Sequence, residues 1–243
     1  MQKKRTTRAA TSEAFANGPV TNGAAPPSSR SDIAAKPRGK TPSGSGIIRN
    51  VCVYCGSGQG RNPRYAEAAI TFGTELARSG IGLVYGGGSL GLMGEVARAV
   101  LAGGGRVTGI IPTFLSKKER MLRDADELVL TKDMHERKRI MFDRSDAFVA
   151  LPGGVGTLEE LVEQLTWSQL GRHDKPIVLA NIDHFWDPLL GLLQHMRAEA
   201  FIRPALEVKF LVADRATEIV PLLMKAAAGP KRAAQTAAVT SKM

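Results

Sequence analysis

The sequence predicts a doubly wound α/β domain, Rossmann-like, with helices on both faces of a mostly parallel sheet. Three observations point there. Short apolar runs alternate with stretches of helical periodicity from residue 47 to residue 227. Most of those runs are continuously apolar rather than alternating, as strands covered on both faces are. Glycine clusters (Gly56-Ser57-Gly58, Gly86-Gly87-Gly88, Gly153-Gly154-Val155-Gly156) follow three of the runs. In such sheets ligands bind at the carboxyl ends of the strands.

The elements follow in order. Residues 47–55 read as the first strand. Asn62-Pro63 is a cap followed by proline at the first helical position. Ala66, Ala69, Ile70, Gly73, Leu76 and Ala77 repeat at helical spacing until Ser79-Gly80. A second strand spans 82–85, a helix 90–102, and a third strand 107–111, stopped by Pro112. An irregular region, 113–126, is long for a connection, and long loops are often functional. A short strand, 128–130, precedes Asp133 and Glu136, a capping-box pair opening a helix at 134–144. Strand 147–151, helix 158–170, strand 177–180, helix 186–199, strand 208–212 and a helix from 216 to about 227 complete the chain. The organisation is a disordered basic extension (1–46), one nucleotide-binding domain (47–226) and a flexible tail (227–243).

The net charge of +10 resembles a nucleic-acid signal until it is located. Residues 1–46 carry eight Lys/Arg against two Asp/Glu, and 225–243 carry four against none. That leaves 21 of each sign in 47–224, so the folded part need not bind a polyanion; nucleic acid is not an expected partner, with contact through the basic tails as the alternative. No run reaches the length of a membrane span, and the N-terminus lacks the apolar core of a secretory signal. Its Arg, Ser, Thr and Ala content overlaps with organelle transit peptides. Pro26-Pro27 and Ser43-Gly44-Ser45-Gly46 read instead as disorder. Cys52 and Cys55 form a C-x-x-C on a predicted strand, where positions three apart face opposite ways. Two buried free thiols in a reducing cytoplasm is the expected outcome. The four histidines are scattered, and no metal site is expected.

Two stretches carry chemistry. Gly86-Gly87-Gly88-Ser89-Leu90-Gly91 fits G-x-G-x-x-G, but after the second strand and without the acid a dinucleotide site needs, since the next strand ends Ile110-Ile111-Pro112. Nucleotide phosphate or sugar contact is the preferred reading; a tight structural turn and an NAD site are the alternatives. Pro152 to Glu160 combines three glycines, Thr157 and two acids in one strand–turn–helix. Bare backbone and free helix-start amides attract phosphate. Glu160, expected in the first helical turn, then lies beside whatever the glycines hold. The plainer reading makes Thr157 a cap and Glu159 and Glu160 complements of the helix dipole. Arg137 and Lys138 stand early in their helix, where cations oppose the dipole, and so suggest an anion nearby. Glu119, among Lys117, Lys118, Arg120 and Arg123, reads by itself as part of a solvated charge run.

Pro152-Gly153-Gly154-x-Gly156-Thr157-x-x-Glu160, with Met134-His135-Glu136-Arg137-Lys138 upstream, resembles the LOG ("Lonely Guy") family, cytokinin riboside 5′-monophosphate phosphoribohydrolases. Cys55-Gly56-Ser57, Tyr85-Gly86-Gly87-Gly88, Gly91-Leu92-Met93-Gly94 and Thr166-Trp167-x-Gln169-Leu170-Gly171 match as well. The similarity covers about 47–224. It implies hydrolysis of the N-glycosidic bond of an N6-substituted AMP, or of AMP itself, with Arg137 and Glu160 essential. Glu119, Arg137, Lys138, the stretch Gly153, Gly154, Val155, Gly156, Thr157, Leu158, Glu159, Glu160, and Thr166 are the implied substrate contacts. Ser57, Gly87, Gly88 and Met93 join them as candidates. The resemblance implies no metal or cofactor. It implies a homodimer, larger in some members. The competing class is a non-catalytic nucleotide or cofactor carrier on the same fold.

Overall fold

The structure is a computed structural model describing residues 47–116 and 121–229. The basic extension 1–46, Glu119 and residues 230–243 lie outside the described residues. The described strands are β1 (Asn50–Tyr54), β2 (Gly82–Tyr85), β3 (Val107–Pro112), β4 (Glu127–Thr131), β5 (Ala147–Ala150), β6 (Ile177–Ala180) and β7 (Leu211–Ala213). They form one sheet in the order β4-β3-β2-β1-β5-β6-β7, and every ladder pairing is parallel. Val51 is registered against Leu83 on one side and Ala147 on the other. The chain therefore walks outward from β1 to β4, then crosses back to β5 on the far side of β1. That reversal opens a crevice at the carboxyl ends of β1 and β5.

The helices are α1 (Pro63–Arg78), α2 (Gly91–Ala102), α3 (Thr113–Ser116), α4 (Met134–Asp143), α5 (Val155–Gln169), α6 (Asp187–Ala198) and α7 (Ala216–Ala228). Ala69, Phe72 and Leu76 of α1, Val96 and Val100 of α2, and Ile219 and Leu223 of α7 share one core with Val51, Val53 and Leu83. Met141 of α4 and Leu161 and Leu165 of α5 share the other with Cys52, Val84 and Phe148. Alternate residues of β1 thus feed opposite faces. Cys52 and Cys55 fall in separate cores, both buried and free, as their spacing on a strand dictates. Burial pushes the Cys52 thiol up to about 12 and the Cys55 thiol higher still.

The predicted caps are present. Asn62 accepts from the Arg64 amide at 3.1 Å and Asp133 from the Glu136 amide at 2.8 Å. The Glu136 carboxylate reaches back to Lys132 N at 2.9 Å, so that box closes one residue further out. Some boundaries differ for physical reasons. β1 begins at Asn50 rather than Ile47, and the Asp146 carboxylate takes the amides of Arg49 and Asn50 at 2.8 and 3.0 Å. β7 begins at Leu211 rather than Val208, because a short 3₁₀ turn at Pro204–Leu206 precedes it and only Leu211–Ala213 reach β6. The loop at 113–126 opens with the single turn of α3. α7 takes in the first two residues of the predicted tail. The sheet is parallel throughout its described strands rather than mostly so.

Candidate active site

A cleft of about 370 Å³ lies over the carboxyl ends of β1, β2 and β5. Its walls come from the turn after β1 (Cys55 to Ser57), from Gly86 after β2, from Met93 of α2 and Leu115 of α3, from Met134 and Arg137 of α4, and from the start of α5.

α5 begins three residues earlier than its apolar periodicity indicates, with Gly154 as N-cap. Thr157 is accordingly inside the first turn, not the cap, and Glu160 is one turn deeper than expected. Gly154 supplies no capping side chain. Leu158 N donates to Gly154 O at 3.0 Å, while the amides of Val155, Gly156 and Thr157 have no acceptor among the described residues. Gly154, Val155 and Gly156 are exposed to the cleft, and a Cβ on either glycine meets nothing within 4 Å. Amides so placed at the positive end of a helix can hold an anion. Gly153 has the opposite surroundings. A Cβ there would collide with Thr157 Oγ1 and stand 2.9 Å from Gly56 N. Gly56 N donates to Pro152 O at 3.1 Å, which ties the two turns flanking the crevice together.

The G-x-G-x-x-G turn leads to a helix start that is already occupied. Leu92 N and Met93 N donate to the carbonyls of Gly58 and Gly56 at 3.4 and 3.3 Å. The start of α2 is thus closed by the chain's own backbone. What this turn gives the cleft is Gly86, where a Cβ would collide with Arg137 Nη2 and stand 3.0 Å from Met93 Sδ.

Arg137 lies across that glycine. Its Nε donates to the carbonyl of Ile110, at the end of β3, at 3.0 Å, and its Nη1 stands 3.2 Å from Glu160 Oε1. Both residues are buried, at 9% and 8% exposure, yet both line the cleft. Burial raises the Glu160 pKa above the ordinary carboxylate range, against the lowering pull of Arg137. The next residue of α4, Lys138, is held by Glu159 at 2.6 Å and Glu163 at 3.0 Å. Burial works against the Lys138 charge, but these carboxylates outweigh it and its pKa rises. Among the described residues no lysine lines the cleft, and no group of three His, Cys, Asp or Glu is arranged to hold a metal.

Of the sequence-derived candidates, the structure brings Ser57, Met93, Arg137, Gly154, Val155, Gly156, Thr157, Glu159 and Glu160 to one cleft. Gly153 and Lys138 stand directly behind it. Gly87 packs with φ +79° against Ile111, and Gly88 bridges to Met121. Leu158 and Thr166 are exposed on the outer side of α5, where the Thr166 hydroxyl donates to Val162 O at 2.8 Å. Val53, Cys55, Leu115 and Met134 are cleft residues that the site candidates did not include. Gly86, first residue of the turn read as a nucleotide contact, does line the cleft.

Fold and cleft define the class: a doubly wound α/β protein in which the open start of α5 adjoins a buried arginine–glutamate pair. The comparisons agree. A family profile described as "Possible lysine decarboxylase" matches residues 93–223. A probable cytokinin riboside 5′-monophosphate phosphoribohydrolase of Oryza sativa subsp. japonica, LOGL9, is 51% identical over 173 residues, 71% of this chain and 76% of that protein. The Arabidopsis thaliana cytokinin riboside 5′-monophosphate phosphoribohydrolase LOG3 is 48% identical over 176 residues, 72% of this chain and 82% of that protein. The chain belongs to the LOG family. Among solved structures, the molybdenum cofactor binding protein of Rippkaea orientalis matches with a TM-score of 0.56 at 23% identity, over 74% of this chain and 98% of that one. The molybdenum cofactor carrier protein of Chlamydomonas reinhardtii matches with 0.56 at 20%, over 75% and 100%. These two likenesses concern the fold.

Proposed function

We propose that the chain hydrolyses the N-glycosidic bond of adenosine 5′-monophosphates, including N6-substituted ones, releasing the free base and ribose 5-phosphate. The observation that carries this reading is the buried Arg137–Glu160 pair set beside the unpaired amides of α5 in one cleft. The relatives' names supply the reaction, and the geometry supplies a way to perform it.

The amides of Val155 to Thr157 take the 5′-phosphate. From β5 across β1 and β2 to β3 is three inter-strand steps, about 14 Å, which accommodates a nucleotide with its base directed toward Leu115 and Met134. The sugar then lies over Arg137 and Glu160. As the bond from C1′ to the base nitrogen breaks, its electron pair leaves with the base and positive charge grows on the sugar. The Glu160 carboxylate stabilises that charge where little water screens it, and orients the water that attacks C1′. One proton of that water ends on the departing base. Arg137, fixed by Ile110 O, holds Glu160 in place and contacts phosphate or ribose oxygens. The apolar base end, with Leu115, Met134 and Met93, suits an alkylated N6 group.

A homodimer belongs to the same reading. Leu158, Val162, Thr166 and Leu170 recur every four residues along α5 and are all exposed, a largely apolar outer stripe. A cytoplasmic location is also part of it. No described helix is long and apolar enough to cross a membrane.

The test is direct. The full chain is incubated with N6-isopentenyladenosine monophosphate, AMP and the two nucleosides, and released base and ribose 5-phosphate are quantified. Turnover of the monophosphates and not of the nucleosides is expected. Binding without release of base from any of them overturns the reading and favours a carrier.

A further inference from the structure

Adjacent residues of α4 pair with residues one turn apart on α5. Arg137 meets Glu160 at 3.2 Å, and Lys138 meets Glu163 at 3.0 Å. The second pair lies behind the first, outside the cleft lining. Lys138 is nearly buried, with its side chain 12% exposed, and Glu163 is 21% exposed. Glu163 divides its carboxylate: Oε1 holds Lys138, while Oε2 is buried with no hydrogen-bond partner among the described residues. A buried carboxylate oxygen without a donor is costly, and such groups mark places where a structure gives up stability for something else. Glu159 also meets Lys138, but its side chain is half exposed and solvent weakens that contact.

We infer that Glu163 is a positioning residue: through Lys138 it clamps α4 to α5 and sets the placement of Glu160. The charged and titratable groups facing this seam are Arg137 and Lys138 from α4, Glu159 from α5, Cys52 and Tyr54 from β1, and Cys55 just beyond it. Glu159 and, to a smaller extent, Glu163 raise the Glu160 pKa, while Lys138 acts the other way. Removing the Glu163 charge therefore acts twice in one direction. It withdraws a repelling carboxylate and leaves Lys138 less neutralised, and both favour ionised Glu160.

The inference rests on the proposed hydrolysis only for its kinetic readout. Glu163→Gln and Glu163→Asp are made in the full chain. The titration of the Glu160 carboxyl is followed by carbon-13 NMR, assigned with Glu160→Gln. Glu163→Gln should move the Glu160 midpoint to lower pH and reduce kcat on the monophosphates about tenfold, the scale of a small misplacement of a reacting group. Glu163→Asp keeps the charge, so it should hold the midpoint and recover most of the activity. A folded Glu163→Gln protein with an unmoved midpoint overturns the inference. So does a Glu163→Asp protein that behaves no better than Glu163→Gln. If Glu163→Gln does not fold, the Glu163→Asp midpoint decides, since a downward shift with the charge retained contradicts the mechanism. The NMR midpoint tests the clamp even if the monophosphates are not turned over, so the two readings fail separately.

Discussion

Two glycine-rich turns stand at the carboxyl edge of this sheet, and each leads from a strand into a helix. The turn after β2 matches a familiar nucleotide pattern, yet the amides of Leu92 and Met93 at the start of α2 are taken by Gly58 and Gly56 carbonyls. The turn after β5 matches no dinucleotide pattern, yet the amides of Val155, Gly156 and Thr157 have no acceptor among the described residues, and all three residues line the cleft. Glycine content alone does not make an anion site. Whether another part of the backbone already fills the helix start decides it, and here one terminus is closed by backbone carbonyls while the other is open among the described residues.

The largest expected effect breaks the α5 side of this contrast at its acid. Glu160→Gln should lower kcat by at least ~10²-fold, the usual scale for losing such a group, with the fold retained by circular dichroism. Near-normal turnover would remove Glu160 from the reaction. A smaller effect sharpens the contrast within the α5 turn. Gly153→Ala forces a methyl into Thr157 and against Gly56 N, so both Tm and activity should fall. Gly154→Ala points into open space, so Tm should hold while KM for the monophosphate rises several-fold, about 1 kcal/mol of phosphate contact. Equal behaviour of the two variants would contradict the open-amide geometry.

The smallest effect is on pH. The Glu160 pKa is raised by burial, so its charged form is lost on acidification at higher pH than for an ordinary carboxylate. If the carboxylate is the working form, the acid limb of kcat/KM should lie above the usual carboxylate range. For stability the sign is opposite. A raised carboxyl pKa favours folding below the unfolded value, and that contribution disappears as pH rises through the folded one. A profile flat through the carboxylate range and above it would separate Glu160 ionisation from catalysis.

Much of this was legible in the chain. The seven strand-like runs are the seven strands, because apolar spacing is a local property and the sheet only has to use it. Asn62 and Asp133 were readable as caps for the same reason. The beginning of α5 was less legible. Val155 and Gly156 continue no apolar stripe, yet with Gly154 as N-cap they form the first turn. Leu115 and Met134 gave no signal as cleft residues, since an apolar side chain in a loop or at a helix start is indistinguishable in sequence from a packing residue. Glu163 belongs to no motif singled out in the sequence, and its pairing with Lys138 is made only across the seam between α4 and α5.

The sequence by itself determined the alternation of strands and helices, the parallel sheet, the separation of the two cysteines onto opposite faces, and the confinement of the basic charge to the chain ends. These depend on side-chain period and composition, which are fixed before anything folds. Only the tertiary structure decided that β5 lies beside β1, that α2 is capped by the turn after β1 while α5 is left open, and that Arg137 reaches over Gly86 to a buried Glu160. Those facts join residues distant in sequence. They are set by which faces pack together, and neither periodicity nor a short motif encodes that pairing.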